Sequence, residues 1–195
     1  DTGNRSKNVQ VTAPLGALNT TLNAANGLVY TGELNLVGPD TLLATVRNSG
    51  SQTADDSKTA QIQVVGDAVD TWRNEHFTES DLVDPAKEAT VYGDKADPEA
   101  DGLDNLLEFA LGLSPLDQET LSQAVEMGIL DDGANEEKHA WLSFPRRKNQ
   151  SLVLYQPEVS SDQVTWFSGS GEVVQIDRQD LDADFELVTV QDLTP

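Results

Sequence analysis

The chain has 195 residues, of which 34 are Asp or Glu and 12 are Lys or Arg, for a formal net charge of −22. So strong an acidic excess argues against nucleic acid and anionic membrane as partners and makes cations the natural counterpart. The absence of cysteine excludes a disulfide framework, a thiolate metal site and a cysteine nucleophile, and two histidines far apart in sequence, His76 and His139, give little basis for a zinc centre. No apolar run approaches the roughly 20 residues that span a bilayer, so no membrane insertion is expected. The opening DTGNRSKNV is polar and unlike a signal sequence, as expected of a processed product or an excerpt.

In chain order, the spacing predicts an all-β beginning. VQVTAP (9–14), GLVYT (27–31), DTLLATVRN (40–48) and KTAQIQVV (58–65) are short apolar or alternating runs between Gly, Asn, Asp and Pro. In the last, Ala60, Ile62 and Val64 alternate with Gln61 and Gln63, the pattern of a half-buried strand. Leu15, Leu18 and Leu22 are spaced for a helical turn or two between strands. These residues resemble the second half of a cadherin-like repeat of large bacterial surface proteins. The matching positions are Leu28, Tyr30, Gly38, Asp40, Leu42, Val46, Ser57, Thr59, Ile62 and Val64. Arg47 and Asn48 stand where that family usually has an acidic residue, which weakens the case for calcium in this part.

The period changes after residue 66. Val69, Trp72 and Phe77 predict a short helix between Ala68 and Leu82, and Thr78, Ser80 and Asp84 before Pro85 supply turn chemistry. Downstream, Leu103, Leu106, Leu107, Ala110 and Leu111 fall on one helical face, with Gly112 as C-terminal cap and Pro115 as a stop. HAWLSF (139–144), SLVLYQPEVS (151–160), VTWFSG (164–169), GEVVQI (171–176) and FELVTV (185–190) then predict five strands. The expected fold is mainly β: a partial β-sandwich over 1–66, a short helical connector with a calcium loop over 67–120, and a second small β-sandwich over 121–195.

The chemistry concentrates in DPEADGLDNLLE (97–108). Calcium takes six to eight oxygens, and a tight loop supplies them from alternate residues before a terminal bidentate Glu. With Asp97 at position 1, the ligands would be Asp97, Glu99, Asp101, the carbonyl of Leu103, Asn105 and Glu108, and Gly102 falls at the sharp turn. An acidic helix start explains Asp101 or Asp104 without an ion, but not three alternate carboxylates with the Gly and the final Glu.

The loop is similar to those of dockerin and thrombospondin type 3 modules, in which it feeds one helix. With Trp72, Phe77, Tyr155, Glu158, Ser160, Ser161, Asp162 and Trp166, residues 70–195 resemble a carboxy-terminal region of very large secreted proteins of Verrucomicrobia and Planctomycetes. The resemblance implies an extracellular or cell-surface setting and attaches no activity. Members usually continue past a segment like Val190–Pro195 into one last strand, which a neighbour or a missing tail would supply here.

Other groups carry less. Asp177, Asp180, Asp182 and Asp184 lack the Gly and the spaced Glu and fit a solvated turn better than a second loop, and DDGANEE (131–137) reads as a plain loop. No carboxylate pair can be singled out for acid/base work, and no nucleophile elbow accompanies His76 or His139. Trp141, Tyr155, Trp166 and Phe167 fit a sandwich core or an aromatic sugar platform. The expectation is a non-catalytic calcium-binding module for surface attachment, with neighbouring domains or copies of itself as partners. The alternatives are a filament subunit built by strand exchange and a carbohydrate-binding appendage of a secreted enzyme that binds surface glycans.

Overall fold

The structure is a computed structural model that describes residues 11–47, 56–131, 138–148 and 152–193. It contains 33% strand and 24% helix, so the chain is mixed and strand-rich. The chain divides into two compact units, Asp1–Glu33 and Leu34–Pro195.

In the first unit, helix α1 (Leu15–Leu22) follows Pro14, whose carbonyl accepts from Leu18 N at 3.1 Å. No side chain of α1 is buried. The strand expected at 27–31 does not form. The segment joins no sheet among the described residues, and Leu28 and Val29 remain 61% and 69% exposed. Of VQVTAP, residues 11–14 have no regular structure, and Val9 and Gln10 lie outside the described residues.

The second unit begins with an antiparallel ribbon of β1 (Gly38–Val46) and β2 (Asp56–Val64). Leu42 opposes Ala60 and Asp40 opposes Ile62, so Leu42, Ala44, Val46, Ala60, Ile62 and Val64 share one face. No third strand joins this ribbon among the described residues. Its base is pinned by side-chain amides. Asn74 accepts from Val37 N at 3.2 Å and donates to Asn35 O at 2.8 Å, and Asn35 donates to Leu82 O at 2.9 Å. Asn35 has φ 58°, a left-handed turn conformation that asparagine tolerates better than most residues.

The single helix expected between 68 and 82 is two. Helix α2 (Ala68–His76) starts at a reciprocal Asp67–Asp70 capping box, and α3 (Glu79–Leu82) starts at a second one made by Thr78 and Asp81. The break at Phe77 drops that ring into a core with Trp72, Leu82, Tyr92 and Phe109. Trp72 meets Phe77 and Phe109 edge-on, at 6.1 and 5.7 Å between ring centroids. A 3-10 turn (Pro85–Lys87) and a π turn (Glu88–Tyr92) lead to the acidic loop and to α4 (Asn105–Leu111).

After α5 (Leu121–Ala124) come β3 (Glu126–Asp131) and β4 (Lys138–Arg147), the two-residue rungs β5 (Glu158–Val159) and β6 (Phe167–Ser168), then β7 (Val173–Asp180) and β8 (Phe185–Asp192). The main sheet has the antiparallel order β3-β4-β8-β7. Strand β3 was not expected, whereas SLVLYQPEVS and VTWFSG shrink to the β5–β6 rungs: Pro157 lacks a donor, Leu154 is 84% exposed, and Ser151 lies outside the described residues. Leu111, Phe144, Val188 and Val190 form a second core, on which Tyr155 stacks against Phe144 at 6.0 Å.

Helix α4 therefore serves both cores, Phe109 in the first and Leu111 in the second. Arg147 of β4 locks it from outside: its guanidinium lies 4.0 Å from the Phe109 ring centre and 4.4 Å from that of Phe185, and Nε donates to Phe109 O. Tyr155 donates to Ala110 O at 2.6 Å. Gly112 ends α4 as expected, at φ 75°, and a Cβ there would sit 2.8 Å from the Phe185 ring.

Candidate metal centre

The loop is wound by its own carboxylates. Asp97 accepts from Asp101 N at 3.1 Å and Gly102 N at 2.9 Å, and Asp101 accepts from Leu103 N at 2.8 Å. Gly102 takes φ 94°, the left-handed conformation that the sharp turn requires. Asp104 then caps α4 by accepting from Leu107 N at 2.9 Å. Ala96 O and Asp94 O accept from Asn105 N and Leu106 N, so the loop returns against its own entrance.

This winding brings Asp97, Glu99 and Asp101 together, with one carboxylate oxygen of each within 4.8 Å of the others. Glu108, one turn into α4, is 0% exposed, and both of its carboxylate oxygens lack a hydrogen-bond partner. Both oxygens of Glu99 are in the same condition. Glu99 is the charged group that acts most strongly on Glu108. Burial, followed by the charges of Glu99, Asp101 and Glu119, pushes its pKa up to about 8. Glu99 is raised as well, first by burial and then by Asp101 and Asp97.

A buried carboxylate without a donor is costly, and natural interiors rarely keep one unless a proton or cation compensates it. The carboxylates gathered within 4.8 Å of one another are Asp97, Glu99 and Asp101, without Glu108, and they offer oxygen donors alone, the kind a hard divalent cation takes.

The six expected ligands do not all behave alike. Asn105 uses its amide N–H groups on Val91 O (2.8 Å) and Gly93 O (2.9 Å), so it ties the loop to the π turn, and its Oδ1 is buried without a partner. Leu103 buries its side chain. Two features escape a register count along the loop. Ala100 sits at φ 60°, strained for a residue with a Cβ. Glu119, eleven residues past the loop, donates its backbone N–H to Asp101 Oδ2 at 2.7 Å, a contact made through space that no linear spacing announces.

The lesser candidates resolve into structural roles. Asp182 accepts from Asp184 N and Phe185 N, and Asp180 pairs with Lys148 at 2.9 Å, so this acidic cluster builds the β7–β8 turn. Of DDGANEE only Asp131 is described, at the end of β3, and 132–137 lie outside the described residues. His76 packs on Trp72 at 5.0 Å, and His139 pairs with Asp192 at 3.0 Å. The four aromatic residues do not share one role: Tyr155 stacks on Phe144, Trp141 covers Gly128, and Trp166 and Phe167 are 54% and 50% exposed. No helix among the described residues is long and apolar enough to cross a membrane. Comparison with family models, curated proteins and solved structures finds no match to this chain.

Proposed function

We propose that this chain is a non-catalytic calcium-binding structural or adhesion module of a large secreted or surface protein, in which one ion clamps α4 between two cores. The observation that carries the reading is Glu108: fully buried, unpartnered on both oxygens and acted on by the charge of Glu99, one of a gathered carboxylate trio. In the absence of an ion these groups repel or hold a proton; with an ion they become its coordination shell, so the free energy of binding adds to that of folding. Because Phe109 and Leu111 flank the clamp in different cores, occupancy would stiffen the passage from the β1–β2 ribbon through α2 to the sheet. In this reading the ribbon is the remnant of a cadherin-like sandwich and the sheet belongs to a second small sandwich.

The test is calorimetric titration of calcium into chelator-stripped protein beside Asp101→Ala. Binding near one equivalent that is lost in the variant supports the reading. No heat and no shift in melting temperature sinks it.

A second reading, assembly by strand exchange, is favoured by the ribbon itself, which exposes Leu43 and Val46 at 63% and 59% and has no third strand among the described residues. A protein that stays monomeric by light scattering at high concentration would rule it out.

A further inference from the structure

The segment that follows α4 turns back over the acidic loop. Leu113 N donates to Glu108 O at 2.9 Å, and Pro115 is fully buried. Gln118 Nε2 reaches Glu99 O at 3.1 Å, and Glu119 N reaches Asp101 Oδ2 at 2.7 Å. Glu119 Oε2 accepts from Ser114 N at 2.7 Å, which holds the side chain against the same turn. The segment thus touches the backbone of one gathered acid, the carboxylate of another and the carbonyl of Glu108, and its half-buried Glu119 carboxylate is near enough for its charge to act on Glu108.

We propose that Glu119 is the fifth carboxylate of the cation site, outside the acidic loop, and that its charge tunes the site toward ions of higher charge. The proposal rests on the cation reading above. With Asp97, Glu99, Asp101 and Glu108 ionised, Glu119 leaves three negative charges uncompensated by a divalent ion and two by a trivalent one. Its reach is electrostatic and does not require an inner-sphere bond: Asp101 takes the Glu119 N–H on Oδ2 and the Leu103 N–H on Oδ1, so the backbone of the segment fixes the acid that faces the ion. The second, independent sign that a cation belongs here is Glu108, fully buried with both oxygens unpartnered.

The test compares calcium chloride with terbium(III) chloride, an ion of similar size and one more charge, by calorimetry on wild type, Glu119→Gln, Glu119→Asp and Glu108→Gln. Glutamine keeps an acceptor for Ser114 N and removes only the charge. The lost charge acts on a trivalent ion half again as strongly as on a divalent one, so a loss of calcium affinity of about tenfold goes with a loss of about thirtyfold for terbium. Glu119→Asp is expected to keep the wild-type ratio of the two affinities. A purely structural role would weaken both ions by the same factor, and that result overturns the proposal. So does unchanged binding in Glu119→Gln while Glu108→Gln abolishes it, which leaves the cation site standing. No binding of either ion by the wild type removes both readings together.

Discussion

Replacing Glu108 with glutamine should change stability in opposite directions with and without calcium. In chelator at pH 7, the unfolded chain ionises Glu108 at its ordinary 4.5, whereas the folded chain holds a proton on it up to about 8. At about 1.36 kcal/mol per pH unit over the span from 4.5 to 7, the acid costs the folded state roughly 3 kcal/mol that an uncharged amide does not. The introduced amide also gains the Glu99 carboxylate as an acceptor. Glu108→Gln should therefore unfold at higher urea in chelator, with a melting rise of about 6–12 °C for a chain of this size. With free calcium a thousandfold above its dissociation constant, the wild type gains about 4 kcal/mol and overtakes the variant, which gains little. Urea denaturation in chelator and in calcium checks both arms. A variant that is less stable in chelator and equally protected by calcium would refute the reasoning that Glu108 is a buried charge awaiting a cation.

The same group sets a pH dependence. Its folded pKa is raised, so its stabilising contribution to the metal-free fold is complete below about pH 4.5 and is lost as pH rises through about 8. Calcium displaces the proton, so affinity should rise toward pH 8, and titrations at pH 7 in two buffers of different ionisation enthalpy should report about one proton released per ion. Constant affinity across that range would contradict it. Ala100→Gly relieves a left-handed alanine worth about 1 kcal/mol but loosens the unfolded chain by about 0.4–1, so urea melts should show a gain of no more than about 0.5 kcal/mol. A loss beyond about 1 kcal/mol would mean the Ala100 methyl packs against something. Arg147→Lys keeps the charge but loses the planar group between Phe109 and Phe185 and the Nε bond to the α4 end; we expect a loss of about 2 kcal/mol in urea melts, and an unchanged midpoint would show that the stacking contributes nothing.

What could be read from the sequence was whatever local geometry dictates. The left-handed glycines Gly102 and Gly112 and the alternate carboxylates Asp97, Glu99 and Asp101 each answer to neighbours a few residues away, and each lies where spacing placed it; an acidic helix start left Asp101 and Asp104 both open, and Asp104 is the one that caps α4. The β1, β2, β4 and β8 segments were legible for the same reason, as alternating runs bounded by turns. Leu28 and Val29 were misread as strand because a strand depends on a partner that periodicity does not reveal. The converse holds for β3: Glu126–Asp131 has a weak pattern and is a strand because β4 lies beside it, Met127 opposite Leu142. Asn105 tying the loop to Val91 and Gly93, and Glu119 reaching Asp101, are contacts made across the fold and could not be seen along the chain.

The order of the main sheet sets how it can be assembled in time. β3–β4 and β7–β8 are each joined by short connections, whereas β4–β8 pairs residues about forty apart, Arg146 with Glu186 and Phe144 with Val188. Two hairpins form quickly because little loop entropy opposes them, and their docking along β4 and β8 is the slow event. Since Phe144 and Val188 supply the core that receives Leu111, α4 finds its second seat only after that docking. Pulse-labelled hydrogen exchange should show the β3–β4 and β7–β8 amides protected before those shared by β4 and β8. Simultaneous protection of all three ladders would count against this order of assembly.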